Sequence, residues 1–422
     1  MSSSPSVPKF LLLSGTPPGP QGVGGIILQE LCRLYPDGKL AASLLVPPGW
    51  KQTLPEDLAH LPVQWGTTQF EHLGQVRFGK AGKLGAWILK QNRFKSHVHT
   101  LLEETCEFAR NQNIEKILAV LDGPTSISMA APLAEKLKLP LITLVWDDVR
   151  QLVKSTLLDR WTGRRMVEGC EQALRLSERC AIISEPMKRH YEKNYNVSGT
   201  ILRLGLAPAF LQPPTTHPHE GDVVRIGYAG SMNADDAFQA LLRALDTRRW
   251  KLAGKNVILR LLGPRFDMRA SQPVGMEFLG WRSLEDTIQA LAETDVTYLP
   301  QPFDRHYVEL TTLSFPTKLT TYLAAGRPIL LHTPAGSSLE EFHRDCPLGV
   351  WCDSLEEKAL AGKLEELLTD SNLYSQAAAW GRAALEREFT AEVFRSRVAA
   401  LLGVEPEALK GDRLPSAVTL AT

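Results

Sequence analysis

The chain has 422 residues, of which 44% are hydrophobic and 22% charged, a composition that suits two or three folded domains and excludes a mostly disordered chain. Its 47 lysines and arginines balance 47 aspartates and glutamates, so no overall field attracts nucleic acid and any anion must bind locally. The six cysteines form no Cys-x-x-Cys pair and predict a reducing, cytoplasmic location rather than a disulfide framework. Neither a signal peptide nor a membrane-spanning segment is predicted.

The first two hundred residues alternate short apolar strands with helices. A strand is predicted at 9–14, followed by a glycine loop and a helix at 26–35, where apolar residues recur at helical spacing. Further strands are predicted at 116–121, 141–146 and 181–184. Short apolar strands between helices are typical of a parallel sheet covered on both faces.

The rest of the chain predicts a second α/β domain and then helices. Its strands are expected at 224–230, 257–262, 276–279, 296–299 and 328–331, and helices at 355–368, 372–388 and 391–402. We therefore divide the chain into a domain at 9–206, a proline-rich linker at 207–222, a domain at 223–370, helices at 371–402 that return toward the first domain, and a tail at 403–422. Two doubly wound domains would face each other across a ligand-binding cleft.

The glycine loop ends in Gly22-Val-Gly-Gly25 at the predicted start of a helix. Free backbone N–H groups and the helix dipole favour an anion there, which makes Gly24 and Gly25 candidate binding residues. The alternative is a tight turn between strand and helix. The loop is neither a dinucleotide fingerprint, because Ile27 occupies the third glycine position, nor a Walker loop.

The most informative stretch is 314–329, Ser-Phe-Pro-Thr-Lys-Leu-Thr-Thr-Tyr-Leu-Ala-Ala-Gly-Arg-Pro-Ile. It predicts a helix capped by Ser314 or a neighbour, with Pro316 in the first turn and Gly326 at the end. Lys318 stands near the amino end, where a cation opposes the helix dipole. A bound anion would resolve that conflict; the alternative is a lysine screened by solvent.

This stretch resembles the signature of glycosyltransferase family 4 and its relatives on the GT-B fold, through Pro-Thr-Lys-Leu at 316–319 and Tyr-Leu-Ala-Ala-Gly-Arg-Pro-Ile at 322–329. Segments 22–25, 226–231, 278–281, 295–300 and 335–340 also fit, so the resemblance covers nearly all of 9–402. It implies an α/β protein of two Rossmann-like domains, an acceptor side in the first and a nucleotide-sugar site in the second. The implied reaction is retaining transfer from a nucleoside diphosphate sugar without a cofactor or essential metal.

The sequence departs from the family pattern at five positions. Leu313 and Thr321 stand where family members commonly carry two glutamates. The Arg and the Lys that commonly hold the donor diphosphate would fall near Ser231 and Ala237. A family histidine of the first domain matches Asp122. An inactive, glycosyltransferase-like binding or regulatory scaffold is therefore the alternative function.

A donor diphosphate still needs positive charge or backbone donors, and Lys318 is the first candidate to supply them. The resemblance implies that the leaving diphosphate oxygen deprotonates the acceptor, so the protein mainly orients and neutralises. Asp122 is the one catalytic candidate, as a group that orients a hydroxyl; the alternative is a turn-capping residue. The predicted donor-binding residues are Gly24, Gly25, Gly230, Ser231, Arg265, Arg305, Glu309, Phe315, Pro316, Thr317, Lys318 and Leu319.

Residues 72–102 contain no acidic residue and interleave basic with aromatic and aliphatic side chains. They predict peripheral contact with a membrane or an anionic acceptor, or equally a solvated flexible face. The resemblance adds that related enzymes often meet a lipid-linked acceptor through such a surface; a glycan or another acceptor stays open. The glycines at 79–85 predict a mobile loop instead of one long helix. One of the two carboxylates in Asp147-Asp148 is expected to cap a helix beginning at Val149.

Overall fold

The computed structural model describes residues 7–20, 22–72, 82–156, 158–266 and 275–410, with the backbone alone at 82–84. The described residues form two compact units. One contains the chain up to Leu202 together with the residues from Arg395 onward, and the other runs from Arg203 to Phe394.

The first unit is built on seven parallel strands. They are β1 (Phe10–Ser14), β2 (Leu40–Val46), β3 (Val63–Thr67), β4 (Lys116–Val120), β5 (Leu141–Leu144), β6 (Ser177–Ile182) and β7 (Ser198–Ile201). Their order is β3-β2-β1-β4-β5-β6-β7. The helices are α1 (Gly22–Leu34), α2 (Gly82–Asn111), α3 (Pro124–Leu137), α4 (Val149–Ser155), α5 (Arg160–Leu176) and α6 (Glu185–Tyr195). Every residue of β1 is buried, as expected of an apolar strand inside a covered sheet.

The second unit holds the other sheet. Its strands are β8 (Val223–Ala229), β9 (Lys251–Leu252), β10 (Lys255–Leu262), β11 (Met276–Gly280), β12 (Val296–Pro300), β13 (Ile329–His332) and β14 (Val350–Cys352). Six are parallel in the order β11-β10-β8-β12-β13-β14, and β9 pairs antiparallel with β10. The helices are α7 (Asp235–Thr247), α8 (Leu284–Ala292), α9 (Val308–Thr312), α10 (Leu319–Ala324), α11 (Ser338–Asp345), α12 (Glu357–Thr369), α13 (Ser371–Glu388) and α14 (Ala391–Leu402).

The predicted α/β class with two Rossmann-like sheets is confirmed, but several predicted boundaries are wrong. α1 begins at Gly22, not at residue 26, and β6 spans Ser177–Ile182, not 181–184. The predicted strands do not include β2, β3, β7, β9 or β14. Most of these are edge or very short strands, in which few residues are available to show a pattern.

The segment predicted as a linker lies along the second unit. The Gln212 amide donates to the Ala324 carbonyl at 2.8 Å, and the Thr215 amide donates to the Gly326 carbonyl at 3.0 Å. Of the helices expected to return to the first domain, α13 belongs to the second unit, and the boundary between the units falls within α14. In the expected tail, the Lys410 amide donates to the Leu34 carbonyl at 2.7 Å.

The helix α2 corrects the prediction of a loop at residues 82–85, whereas residues 79–81 of that predicted loop lie outside the described residues. From Gly82 onward the chain is one helix of 30 residues, so the glycines there do not break it. Residues 73–81, including Arg77 and Lys80, lie outside the described part of the chain, as does the side chain of Lys83. Within the described ranges, no helix is long and apolar enough to cross a membrane.

Candidate functional site

The carboxyl ends of the parallel strands in the second unit meet at one edge of its sheet, where ligands bind in open α/β folds. Gly230 and Ser231 follow β8, and Arg265 follows β10. Arg305 and Glu309 lie in the connection after β12. The topology therefore gathers predicted donor-binding residues from three strands at this edge.

Lys318 reaches the end of β8. Its Nζ donates to the Tyr228 hydroxyl at 2.9 Å and to the Ser231 carbonyl at 3.1 Å, and it lies 4.5 Å from the centre of the Tyr228 ring. Gly230 has φ +107°, and a methyl group there would lie 3.3 Å from Cε of Lys318. Three of the predicted residues, Gly230, Ser231 and Lys318, are thus in direct proximity.

Among the described residues, the groups that contact the Lys318 ammonium are neutral. Its two hydrogen-bond partners are a hydroxyl and a carbonyl oxygen, and burial lowers its pKa to about 7. Burial also raises the pKa of Tyr228, whose hydroxyl donates to the Ser231 carbonyl at 2.7 Å. An anion placed against Nζ would favour the charged lysine and reverse the shift.

The turn that carries Lys318 differs from the prediction. Ser314 does not cap the helix and Pro316 is not in its first turn, because α10 begins at Leu319 with Lys318 in the N-cap position. The Ser314 carbonyl accepts a hydrogen bond from the Ser338 hydroxyl, which holds that residue against α11. The predicted end is confirmed, since Gly326 has φ +67° just after the helix.

Tyr322 fastens α10 to β8. Its hydroxyl accepts a hydrogen bond from the Ala229 amide at 2.7 Å and donates to the Ala229 carbonyl at 3.1 Å. This pair of hydrogen bonds fixes α10 against Ala229, the residue that precedes Gly230. Tyr228 and Tyr322 are not among the predicted site residues, because a tyrosine in an apolar stretch resembles any other core residue.

Phe315 and Leu319 pack inside the unit and do not join the Lys318 group. The Phe315 ring lies 5.3 Å from that of Phe342, and the Arg203 guanidinium lies 4.0 Å from its centre. Leu319 is fully buried. Pro316 and Thr317 are half-buried in the turn that leads to Lys318.

The charged candidates after β10 and β12 are more peripheral. Arg265 is exposed, with its guanidinium 5.6 Å from the centre of the Phe278 ring. Arg305 is exposed and Glu309 is half-buried. None of the three is among the described contacts of Lys318.

In the first unit, Asp122 ties together the ends of two strands. Its Oδ1 accepts hydrogen bonds from the Gly15 amide at 3.1 Å and the Ser126 hydroxyl at 2.8 Å, and its Oδ2 accepts from the Ser14 hydroxyl at 3.3 Å. Burial raises its pKa, and these hydrogen bonds partly offset that. The contacts match the turn-capping alternative, while a role in orienting a hydroxyl stays a prediction.

The glycine loop is closely packed. A methyl group at Gly24 would lie 2.7 Å from the Trp146 ring, and one at Gly25 would lie 2.8 Å from the Gly19 carbonyl oxygen. Packing alone accounts for both glycines, and their contact with a donor stays a prediction. The expected helix cap at Asp147-Asp148 is confirmed and is Asp148, which caps α4 by accepting a hydrogen bond from the Arg150 amide at 2.9 Å.

Within the described ranges, no group of three or more His, Cys, Asp or Glu side chains is arranged to hold a metal ion.

Residues 223–370 match the family model described as Glycosyl transferases group 1. The matched residues lie within the second unit, which therefore resembles this family over most of its length. No curated protein matches the chain in sequence.

Solved structures with a similar fold cover nearly the whole chain. Anabaena HepE in complex with UDP and glucose is 15% identical, with a TM-score of 0.64 over 94% of this chain and 99% of HepE. Sucrose-phosphate synthase from Thermosynechococcus elongatus is 12% identical, with a TM-score of 0.64 over 94% of this chain and 97% of that one. A glycosyltransferase from Rickettsia africae is 12% identical, with a TM-score of 0.59 over 96% of this chain and 100% of its own. The predicted GT-B fold is confirmed.

Proposed function

We propose that this protein is a retaining glycosyltransferase that moves a sugar from a nucleoside diphosphate sugar to a glycan, a lipid-linked molecule or another acceptor. The observation that carries the proposal is the Lys318 ammonium at the carboxyl edge of the second sheet, whose hydrogen-bond partners among the described residues are the neutral oxygens of Tyr228 and Ser231. A diphosphate would supply a negative charge that these two partners do not provide. The family model over 223–370 and the UDP bound by HepE support the same donor class.

In the proposed reaction, the bond between the anomeric carbon and the diphosphate oxygen breaks, and its electron pair stays on that oxygen. The Lys318 ammonium stabilises the developing charge on the diphosphate. The same oxygen accepts the proton of the acceptor hydroxyl, while the new carbon–oxygen bond forms on the face that the diphosphate leaves. The protein supplies position and charge, and no protein nucleophile is needed.

The test is calorimetric titration of the full chain with UDP-, GDP- and ADP-sugars, combined with a measurement of nucleoside diphosphate released as the bound donor is hydrolysed. We expect one of the donors to bind. In Lys318→Ala, the rate of release should fall at least tenfold, about 1.4 kcal/mol of transition-state stabilisation.

Lys251→Ala is the matched control. Lys251 is exposed and pairs with Asn256 near the amino end of β10, at the opposite edge of the same sheet. Its loss should leave donor binding unchanged. If none of the nucleotide sugars binds, the result contradicts the proposal and favours the scaffold alternative, which the missing family charges at Leu313 and Thr321 already motivate.

A further inference from the structure

A buried arginine lies against three aromatic rings of the second unit. Arg203 is 5% exposed, and its guanidinium carbon lies 4.0 Å from the ring centre of Phe315, 4.7 Å from that of Phe342 and 5.8 Å from that of Phe389. Its Nη1 lies 3.9 Å from Oε2 of Glu388. The face of an aromatic ring attracts a cation, most strongly where both groups are removed from water. The rings and the guanidinium therefore hold one another in place.

Stability alone does not account for an arginine at this position. Burying a charge has a cost in free energy that an apolar side chain of similar volume does not have. What the guanidinium adds is geometry, because it is planar and stacks on a ring face in a defined orientation. The choice of Arg203 therefore favours a role in fixing the position of the rings that it contacts.

One of these rings belongs to the turn that carries the donor-site lysine. Phe315 stands three positions before Lys318, and its side chain is 5% exposed. Between the two, the Leu319 amide donates to the Pro316 carbonyl at 3.0 Å, which makes the connection tight. A turn this short cannot shift its ring without shifting its backbone, so the place of the Phe315 ring determines where Lys318 starts.

The helix α11 supplies two further contacts to the same turn. The Phe342 ring lies 5.3 Å from the Phe315 ring, with an angle of 76° between their planes. The Ser338 hydroxyl donates to the Ser314 carbonyl. Because the Arg203 guanidinium contacts both rings of the pair, it joins the turn to α11.

We infer that Arg203 is a positioning residue for donor binding, which sets the place of the 315–318 turn through Phe315 and thereby directs the Lys318 ammonium to the end of β8. The inference rests on the proposed function, in which Lys318 binds the donor diphosphate. Without the guanidinium, the Phe315 ring loses its cation partner and the turn can move. Lys318 would then leave the Tyr228 hydroxyl, to which it donates at 2.9 Å.

The first measurement needs no donor. Nζ of Lys318 lies 4.5 Å from the centre of the Tyr228 ring, so the ring current shifts the signal of the neighbouring Cε protons upfield. In the full chain labelled with carbon-13 at lysine Cε, this signal is identified by its absence from Lys318→Met. In Arg203→Met, which removes the planar cation and keeps much of the volume, the signal should return toward those of exposed lysines. An unchanged signal would overturn the inference.

The second measurement is calorimetric titration with the nucleotide sugar that binds the unmodified protein most tightly. Arg203→Met should bind it more weakly by about tenfold or more, because small displacements of a binding group are costly. Arg203→Lys keeps the positive charge but not the planar fork, so it should restore little of the affinity. Full donor affinity in Arg203→Lys would contradict the role assigned to the planar group.

Arg260→Met is the matched control. The Arg260 side chain is 12% exposed and donates to Glu277 and Glu293 at 2.8 Å each, at β11 and just after α8. Its loss should lower the stability of the same unit and leave both the Lys318 signal and the donor affinity unchanged. Equal losses of donor affinity in Arg260→Met and Arg203→Met would show that Arg203 acts only through stability.

Phe342→Leu is the second variant, and it decides the question if Arg203→Met does not fold. It removes one ring and leaves Arg203 and Phe315 in place, so the Lys318 signal should move in the same direction. In the double variant, the two losses of donor affinity should combine to less than their product, because both act through Phe315. If no nucleotide sugar binds the unmodified protein, the proposed function is contradicted, while an unmoved Lys318 signal contradicts the positioning role separately.

Discussion

At the scale of single residues, Lys318 combines a cost in stability with a proposed role in binding. A lysine whose pKa is lowered to about 7 by burial binds fewer protons when folded than when unfolded, where its pKa is near 10.5. Between pH 7 and pH 10.5, the contribution of this lysine to the free energy of unfolding therefore rises with pH. In Lys318→Met, which removes the charge and keeps much of the side-chain volume, that contribution disappears.

We therefore expect Lys318→Met to be more stable than the unmodified protein near pH 7, with a difference that shrinks as the pH rises toward 10. Urea denaturation at several pH values measures both free energies of unfolding. The variant should at the same time lose donor affinity, which is the pattern of a residue retained for function at the expense of stability. A variant that is less stable at every pH would show that Lys318 serves the fold.

At the scale of secondary-structure elements, α10 depends on Tyr322 for its position against β8. Tyr322→Phe leaves the Ala229 amide and carbonyl without their hydroxyl partner, at a cost of about 1–3 kcal/mol in the free energy of unfolding. Because Lys318 directly precedes this helix, we also expect weaker donor binding in calorimetric titration.

The matched control is Tyr374→Phe. Tyr374 is fully buried, and its hydroxyl donates to the Asp295 carbonyl at 2.7 Å, beside the amino end of β12 and thus at the opposite edge of the sheet. Both variants should lose stability, but Tyr374→Phe should keep its donor affinity. Equal affinities in the two variants would contradict a positioning role for Tyr322.

The elements also show what the sequence could predict. Strands with uninterrupted apolar runs, such as β1 and β4, were predicted because burial on both faces leaves a local signature. Lys318 is a predicted donor-binding residue because a cation at the start of a helix conflicts with the dipole and because Pro-Thr-Lys-Leu at 316–319 resembles the family signature, and its contact with a donor stays a prediction. Tyr228, which accepts a hydrogen bond from Lys318, and Tyr322, which accepts one from the Ala229 amide, are not predicted as site residues. Their roles depend on contacts between residues that are 90 or more positions apart in the sequence.

The beginning of α10 was mispredicted for a related reason. Ser314 and Pro316 carry good local signals for a helix start, but the Ser338 hydroxyl binds the Ser314 carbonyl from α11 and the helix begins later. Tertiary contacts of this kind override local propensity. Likewise, Phe315 belongs to a family-like motif, yet its ring is enclosed by Phe342 and the Arg203 guanidinium.

At the scale of the whole molecule, donor binding should change the stability of particular segments. A ligand at 100 times its dissociation constant stabilises the folded state by about 2.7 kcal/mol. We expect the slowing of amide hydrogen exchange to concentrate in residues 228–231 and 315–322, which contain Lys318 and its partners.

Residues 251–257 provide an internal control, because they lie at the opposite edge of the same sheet. The measurement is hydrogen exchange of the full chain, followed by mass spectrometry, with and without the nucleotide sugar that binds most tightly. Protection confined to the first unit would contradict the assignment of the donor to the second. Protection of residues 22–26 would test the prediction for Gly24 and Gly25 separately, because in the free protein packing against Trp146 and Gly19 already accounts for these glycines.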